Sequence, residues 1–435
     1  MSEHSSKLPE AQPENSGTQP PAPASTETTV SLSKVGPTAY HRNVRECLKL
    51  NYADLWDWFA DHSRRPEAAE AERVDLLKAA IRLDRDSSAG LYSVVDFVAQ
   101  QMGLHATFTL YQAQHSVGLN ASMFCLPGEG HLVFHGPVLD LLDSEQLAAL
   151  VAHELAHFEL NNLNGGSFEI AEQVLLALAT DAAADNPQLR TLRSYRLYTE
   201  LYCDRRAAEV TGDFSACVSA LVKLETGLKQ VSVQSYIKQA DEVLEAAAAQ
   251  NTPVESSGTT HPEMYIRAKA LQMWTVNPGN VDDLVRPFVE GQWNLQQLDI
   301  MRQRLLCEAT LEFLNAFLKP KWLRTNIMLG HLARFESTTV STASTATELM
   351  KLWLAECDES IRSYFCYLLL DFVTCDADLE EAPLAAAWLF AENMGLGEEF
   401  QKQCAAELKL GKRALEKVFR EAADIVLLAE KEFAE

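Results

Sequence analysis

Residues 150–160 read LVAHELAHFEL. His153 and His157 lie four positions apart, and Glu154 follows the first. On an α-helix, side chains four apart share a face. Two imidazoles would then point the same way, as a zinc ion requires, with a carboxylate one position round in reach of a metal-bound water. This is the H-E-x-x-H pattern of two ligands and a general base. The flanking residues predict the helix independently. Asp143 and Ser144 are N-cap candidates, and Gln146 stands three after Asp143, as a capping box needs. Leu147, Leu150, Val151, Leu155 and Phe158 follow at helical spacing. So short a pattern also arises by chance. The zinc reading therefore depends on a third ligand and on groups that orient the first two.

A candidate lies downstream, in YTELYCDRRAAEVTGD. Glu200 and Asp204 are again four apart, one helical turn. Glu200 can supply a carboxylate oxygen to the metal, and Asp204 can accept the free N–H of a ligand histidine. The same residues can equally form a solvated acidic face with Arg205 and Arg206. Further on, TTHPEMYIRAKAL places His261, Pro262 and Arg267 in order after the first two motifs. Such polar donors can stabilise an oxyanion, or His261 can be an ordinary loop residue and Arg267 a brace for an acidic partner.

The rest of the chain narrows the classes open to it. Lysine and arginine number 37 against 61 aspartates and glutamates, a net charge of −24. That argues against nucleic acid and anionic membrane surfaces, which favour positive charge. No apolar run approaches the length of a bilayer span, so no membrane insertion is expected. The first residues have no apolar core of a signal peptide. Nine cysteines without a C-x-x-C pair point to reduced thiols and a cytoplasmic setting.

Along the chain, residues 1–35 are rich in Ser, Pro, Thr, Glu and Gln and read as a disordered tail. Residues 40–103 look helical. HATFTLYQ, NASMFCL and HLVF are strand candidates, with PGEG as a turn, and strands are expected only between about 105 and 135. Helical patterns follow, interrupted by the loop at 251–263, and resume after residue 280.

Taken in order, these motifs resemble the HtpX-like zinc metallopeptidases, peptidase family M forty-eight, which are gluzincins. The resemblance runs from about Val94 to Leu271. It covers LNASMFCLPGEGHLVFHGPVLDLLDSEQLAALVAHELAH, the Glu200 and Asp204 helix, and the His-Pro and arginine of HPEMYIR. It implies Zn2+ held by His153, His157 and Glu200, with Glu154 as general base and Asp204 behind a ligand histidine. His261 and Arg267 are then candidates beside the oxyanion. Asn120, Ala121, Ser122 and Met123 form the strand against which a peptide or protein substrate would lie. Many members carry transmembrane helices, and this chain departs from them. Cys203 stands where a small residue is usual, and packing or a regulatory thiol are both open to it.

A weaker likeness to the TerB-like helical domain covers roughly residues 330–425. It centres on an acidic turn with Asp376, Asp378, Glu380 and Glu381, which can bind a cation or simply cap a helix. The expected fold is α+β, mostly α: a gluzincin-type core with a small β-sheet, then a helical C-terminal domain. The expected domains are the tail 1–35, a zinc metallopeptidase domain 40–275, a helical connector 280–329 and a TerB-like domain 330–435. The expected activity is a zinc-dependent endopeptidase. The alternative is a metal-containing scaffold that works through its helical C-terminal half, and the intact Glu154 argues against it.

Overall fold

The computed structural model describes residues 35–62, 66–115, 118–126, 128–180, 187–250, 254–335 and 346–432. The tail expected over 1–35 lies outside these residues except for Val35, as do Pro127 of the expected turn and residues 251–253 of the expected loop. Helices dominate, around one small sheet of strands β1 (Ala80–Arg82), β2 (Thr107–Ala113), β3 (Asn120–Leu126) and β4 (Glu129–His135). The order is β1-β2-β4-β3. β2 and β4 run parallel from Thr107 opposite Glu129 to Gln112 opposite Phe134, while β3 runs antiparallel to β4 from Asn120 opposite His135. β4 carries an unbroken buried run from Gly130 to Phe134, as a central strand covered on both faces must. β3, the more polar strand, lies at an edge.

Alternation along β2 sorts its side chains onto two faces. Phe108 and Leu110 enter the core under the Ser144–Asn162 helix, with Leu132, Phe134, Val151 and Leu155. Tyr111 faces the other way, with Val133 and Leu76. β1 corrects the sequence reading, which placed residues 80–82 in a helical stretch. It is three residues long, pairs antiparallel with β2 through Ala80 opposite Ala113, and leaves Ile81 exposed, so it offers no alternating pattern to detect.

The Ser144–Asn162 helix starts on a complete capping box. The Gln146 backbone N–H donates to Asp143 Oδ1 at 3.0 Å, and the Asp143 N–H donates to Gln146 Oε1 at 3.3 Å. Alongside packs the Pro187–Thr211 helix, which buries the charged residues Glu200, Asp204, Arg205 and Arg206. Arg206 donates to both Glu159 oxygens, at 2.7 and 3.0 Å, and the Tyr202 hydroxyl donates to Glu159 at 2.8 Å. Arg205 reaches Asp282 at 2.7 Å on the Val281–Glu290 helix. The solvated acidic face considered from the sequence is thereby excluded: Glu200, Asp204, Arg205 and Arg206 are all buried.

A separate apolar core gathers the C-terminal helices, from Leu298 to Ala429. The Ile300–Phe317 helix, in the region read as a connector, supplies Leu306, Phe313, Leu314 and Phe317 to this core. The acidic turn of this region is a capping device. Asp376 is buried, accepts from the Thr325 hydroxyl at 2.6 Å, and caps the turn at Asp378 N–H. No described helix is long and apolar enough to cross a membrane.

The Glu159–Arg206 pair yields a stability prediction. Glu159→Ala leaves a buried guanidinium with Glu209 alone, and breaking a buried pair in this way costs about 3 kcal/mol or more. Urea unfolding is expected to show that loss in the wild-type to variant comparison. A change under about 1 kcal/mol would mean that the pair is not what holds these two helices together.

Candidate metal centre and cleft

The two long helices bring the sequence-predicted residues to one point. His157 Nε2 lies 3.3 Å from His153 Nε2. Glu200 reaches across with Oε2 3.4 Å from His153 Nε2 and Oε1 3.5 Å from His157 Nε2. These are the spacings a single ion demands: ligands at about 2.0–2.1 Å in a tetrahedron stand about 3.3–3.4 Å apart. Among the described residues, His153, His157 and Glu200 are the one such group of three. Glu200 Oε2 is buried without a hydrogen-bond donor among those residues, a carboxylate oxygen held in place for a cation. Two nitrogens and a carboxylate oxygen match the donor chemistry of zinc.

Behind the ligands stands a charged brace. His153 Nδ1 lies 2.9 Å from Asp204 Oδ1, within ion-pair distance although not aligned for a hydrogen bond. Arg267, on the Met264–Val276 helix, grips Asp204 with two bonds, Nε to Oδ2 at 2.7 Å and Nη2 to Oδ1 at 2.6 Å. Its Nη2 also lies 3.5 Å from Glu200 Oε2. These contacts set the protonation preferences of the side chains themselves. Burial opposes charge on His153, but the Asp204 and Glu200 carboxylates outweigh it and raise its pKa to about 10. Burial pulls His157 the other way, to about 4. Burial also opposes charge on Asp204, but Arg267 and His153 prevail and hold it at about 2. Glu154, buried beside the ligands, is pushed up to about 7, first by burial and then by the Glu200 charge.

The ligands open onto a cleft of about 640 Å³. Asn120, Ala121, Ser122 and Met123 of β3 line it, together with His261 and Arg267. His261 is half exposed, with Nε2 3.5 Å from Glu200 Oε1 and Nδ1 2.9 Å from the Thr260 hydroxyl. Its loop is pinned: Arg193 donates to the Gly258 carbonyl at 2.9 Å, and Glu263 accepts from Ser257 N–H at 2.7 Å. Gly258 must be glycine here, because a Cβ would stand 1.9 Å from the His261 carbonyl oxygen. Cys203 is packed in the core with no exposure, and burial raises its thiol well above the ordinary value, so it is not a reactive thiolate.

Two parts of the cleft escaped the sequence reading. Asn161 continues the face of His153 and His157 by one more turn, and the four-residue period contained that signal. The wall made by the Phe214–Thr226 helix, with Ala220, Leu221, Leu224 and Glu225, carries no motif at all.

Comparison with known proteins agrees with this geometry. Residues 87–275, which hold every group just described, match the family model for peptidase family M48. Over 220 residues the chain is 27% identical to the plastoglobule-localized metallopeptidase 48, chloroplastic, of Arabidopsis thaliana, across 47% of this chain and 63% of that relative. The match therefore spans under two thirds of the relative's length. Through the region that brings the H-E-x-x-H helix against Glu200, this chain is similar to peptidase family M48.

Proposed function

We propose that the chain is a zinc-dependent endopeptidase. The observation that carries this reading is the convergence of His153, His157 and Glu200 beside the buried Glu154, at the bottom of a cleft that runs along an edge strand. His153 Nε2, His157 Nε2 and one Glu200 oxygen hold the ion. Zinc, when bound, supplies a Lewis acid that acidifies water and polarises a carbonyl.

The chain's own groups do the rest. Glu154 takes a proton from the attacking water on its carboxylate and passes it to the departing amine. His261 Nε2 faces the cleft and donates to the oxygen that gains charge at the scissile carbonyl. Arg267 braces the centre: its paired bonds to Asp204 fix the carboxylate behind His153. β3 offers the free edge of the sheet, so an extended peptide adds beside Asn120, Ala121, Ser122 and Met123. The nine cysteines are all unpaired, which supports a reducing compartment such as the cytoplasm. The helical C-terminal unit, proposed as TerB-like, adds no residue to the cleft, so its role lies outside the chemistry.

Purified protein is expected to hold about one zinc per chain. Elemental analysis should find it lost from His153→Ala and from Glu200→Ala. Glu154→Gln should keep the metal and cut kcat on peptides by about a hundredfold or more. Wild-type turnover in Glu154→Gln would remove the glutamate from the mechanism, and unchanged zinc in His153→Ala would refute the site.

The two groups facing the ligands part company on different measurements. His261→Ala is expected to keep zinc and melting temperature while kcat falls about a hundredfold, since its partner gains charge only in the transition state. Arg267→Ala uncovers buried Asp204, so zinc affinity and melting temperature should fall together. Full turnover in His261→Ala, or an Arg267→Ala protein with wild-type metal affinity, would reverse these assignments.

A further inference from the structure

The cleft has a chemical asymmetry that the metal centre does not use. At one end, Gly118 and Leu119 lead into β3 and face Leu221, Leu224 and Glu225 at the C-terminal end of the Phe214–Thr226 helix. The Leu119 side chain reaches as far as Gly227, where a Cβ would stand 3.8 Å from Leu119 Cδ1, so the strand entry and the helix end meet there. The walls of this end are aliphatic, and the carboxylate of Glu225 is its charged group. No cation among the described residues pairs with Glu225. The nearest lysine in sequence, Lys223, is committed elsewhere, donating to Gln146 at 2.7 Å and to the Leu141 carbonyl at 3.2 Å. The carboxylates at the metal centre, by comparison, have cationic or imidazole neighbours: Asp204 is gripped by Arg267, and Glu200 faces two imidazoles.

We infer that this end of the cleft is a subsite for a lysine or arginine side chain of the substrate, with Glu225 as its specificity-determining residue. A long basic side chain matches both parts of the subsite. Its methylene stem lies along Leu119, Leu221 and Leu224, and its charged head reaches the carboxylate beyond them. A short or acidic side chain satisfies neither. The chain's net charge of −24 works in the same direction, since it draws cationic peptides toward an acidic cleft. The subsite is open to solvent, so the preference is set by an exposed ion pair, on the order of fivefold rather than a thousandfold.

This inference rests on the peptidase reading for its meaning, and the test separates the two. Peptide binding is measured by fluorescence anisotropy on the zinc-loaded Glu154→Gln protein, so the result does not need turnover. The probes are an otherwise neutral peptide with one lysine moved along its length, and the matching series with norleucine, which keeps the stem and removes the charge. At one position the lysine peptide is expected to bind about fivefold more tightly than its norleucine partner at low salt, with the ratio shrinking as salt rises. Adding Glu225→Gln should bring that ratio to about one, and Glu225→Lys should invert it in favour of a glutamate peptide. Equal binding of the two series at every position, or a lysine preference that survives Glu225→Gln, overturns the subsite. A lysine preference that depends on Glu225, in a wild-type protein that cleaves none of these peptides, upholds the subsite and counts against the peptidase reading instead.

Discussion

The centre depends on one buried ion pair, Asp204 with Arg267. Two bonds of 2.7 and 2.6 Å join helices distant in the chain and place a fixed negative charge behind His153. Without Arg267, Asp204 and Glu200 would be two carboxylates one helical turn apart in the protein interior, where burial and mutual repulsion both favour protonation. With it, and with His153 and His157 beside Glu200, both stay charged. Asp204 can then orient an imidazole, and Glu200 can present an anionic oxygen to a cation. A pair of this kind contributes little net stability, because desolvation consumes most of the Coulomb gain. Its value lies in geometry: it fixes which way the ligand atoms point.

The same logic extends along the whole Pro187–Thr211 helix. It buries Glu200, Asp204, Arg205 and Arg206 within two turns, with partners on three other helices. The helix is therefore locked against its neighbours on several sides by charges that cannot be left alone, and it cannot rotate without stranding one of them. Apolar packing alone would tolerate small rotations. A set of ligands that must converge to within a few tenths of an ångström would not, which gives a physical reason for so charged a helix in the core.

How much of this was legible in the sequence follows from the range of each interaction. The capping box at Asp143 and Gln146 and the shared face of His153 and His157 are local, and periodicity was enough to find them. The strand alternation of Phe108 and Leu110 was equally local. The partnership of Glu200 with those histidines spans more than forty residues. Spacing alone left it open to a solvated reading, and only the resemblance to a known family chose between them. β1 was missed because three residues that pair at an edge carry no period. The Ile300–Phe317 helix shows in its sequence that it has an apolar face but not which core receives that face, so its place with the C-terminal helices was invisible. The wall opposite β3 was missed for a different reason: Leu221 and Leu224 look like any helix interior until the fold turns them toward an opening.

That last failure bears on how such clefts acquire selectivity. Groups that perform chemistry are constrained by spacing and charge, and so leave motifs. Groups that shape a cleft wall need only be the right size at the right place, and many sequences meet that condition. In this chain the two kinds are carried by different elements. The ligands and the base sit on the Ser144–Asn162 and Pro187–Thr211 helices, which buried ion pairs hold rigid. The far wall sits on the Phe214–Thr226 helix, which meets the Ser144–Asn162 helix through shared apolar packing and through the bonds of Gln146 to Ser219 and Lys223. A change at Leu221, Leu224 or Glu225 can therefore alter what enters the cleft without moving His153, His157 or Glu200, because no bond of the brace passes through that helix.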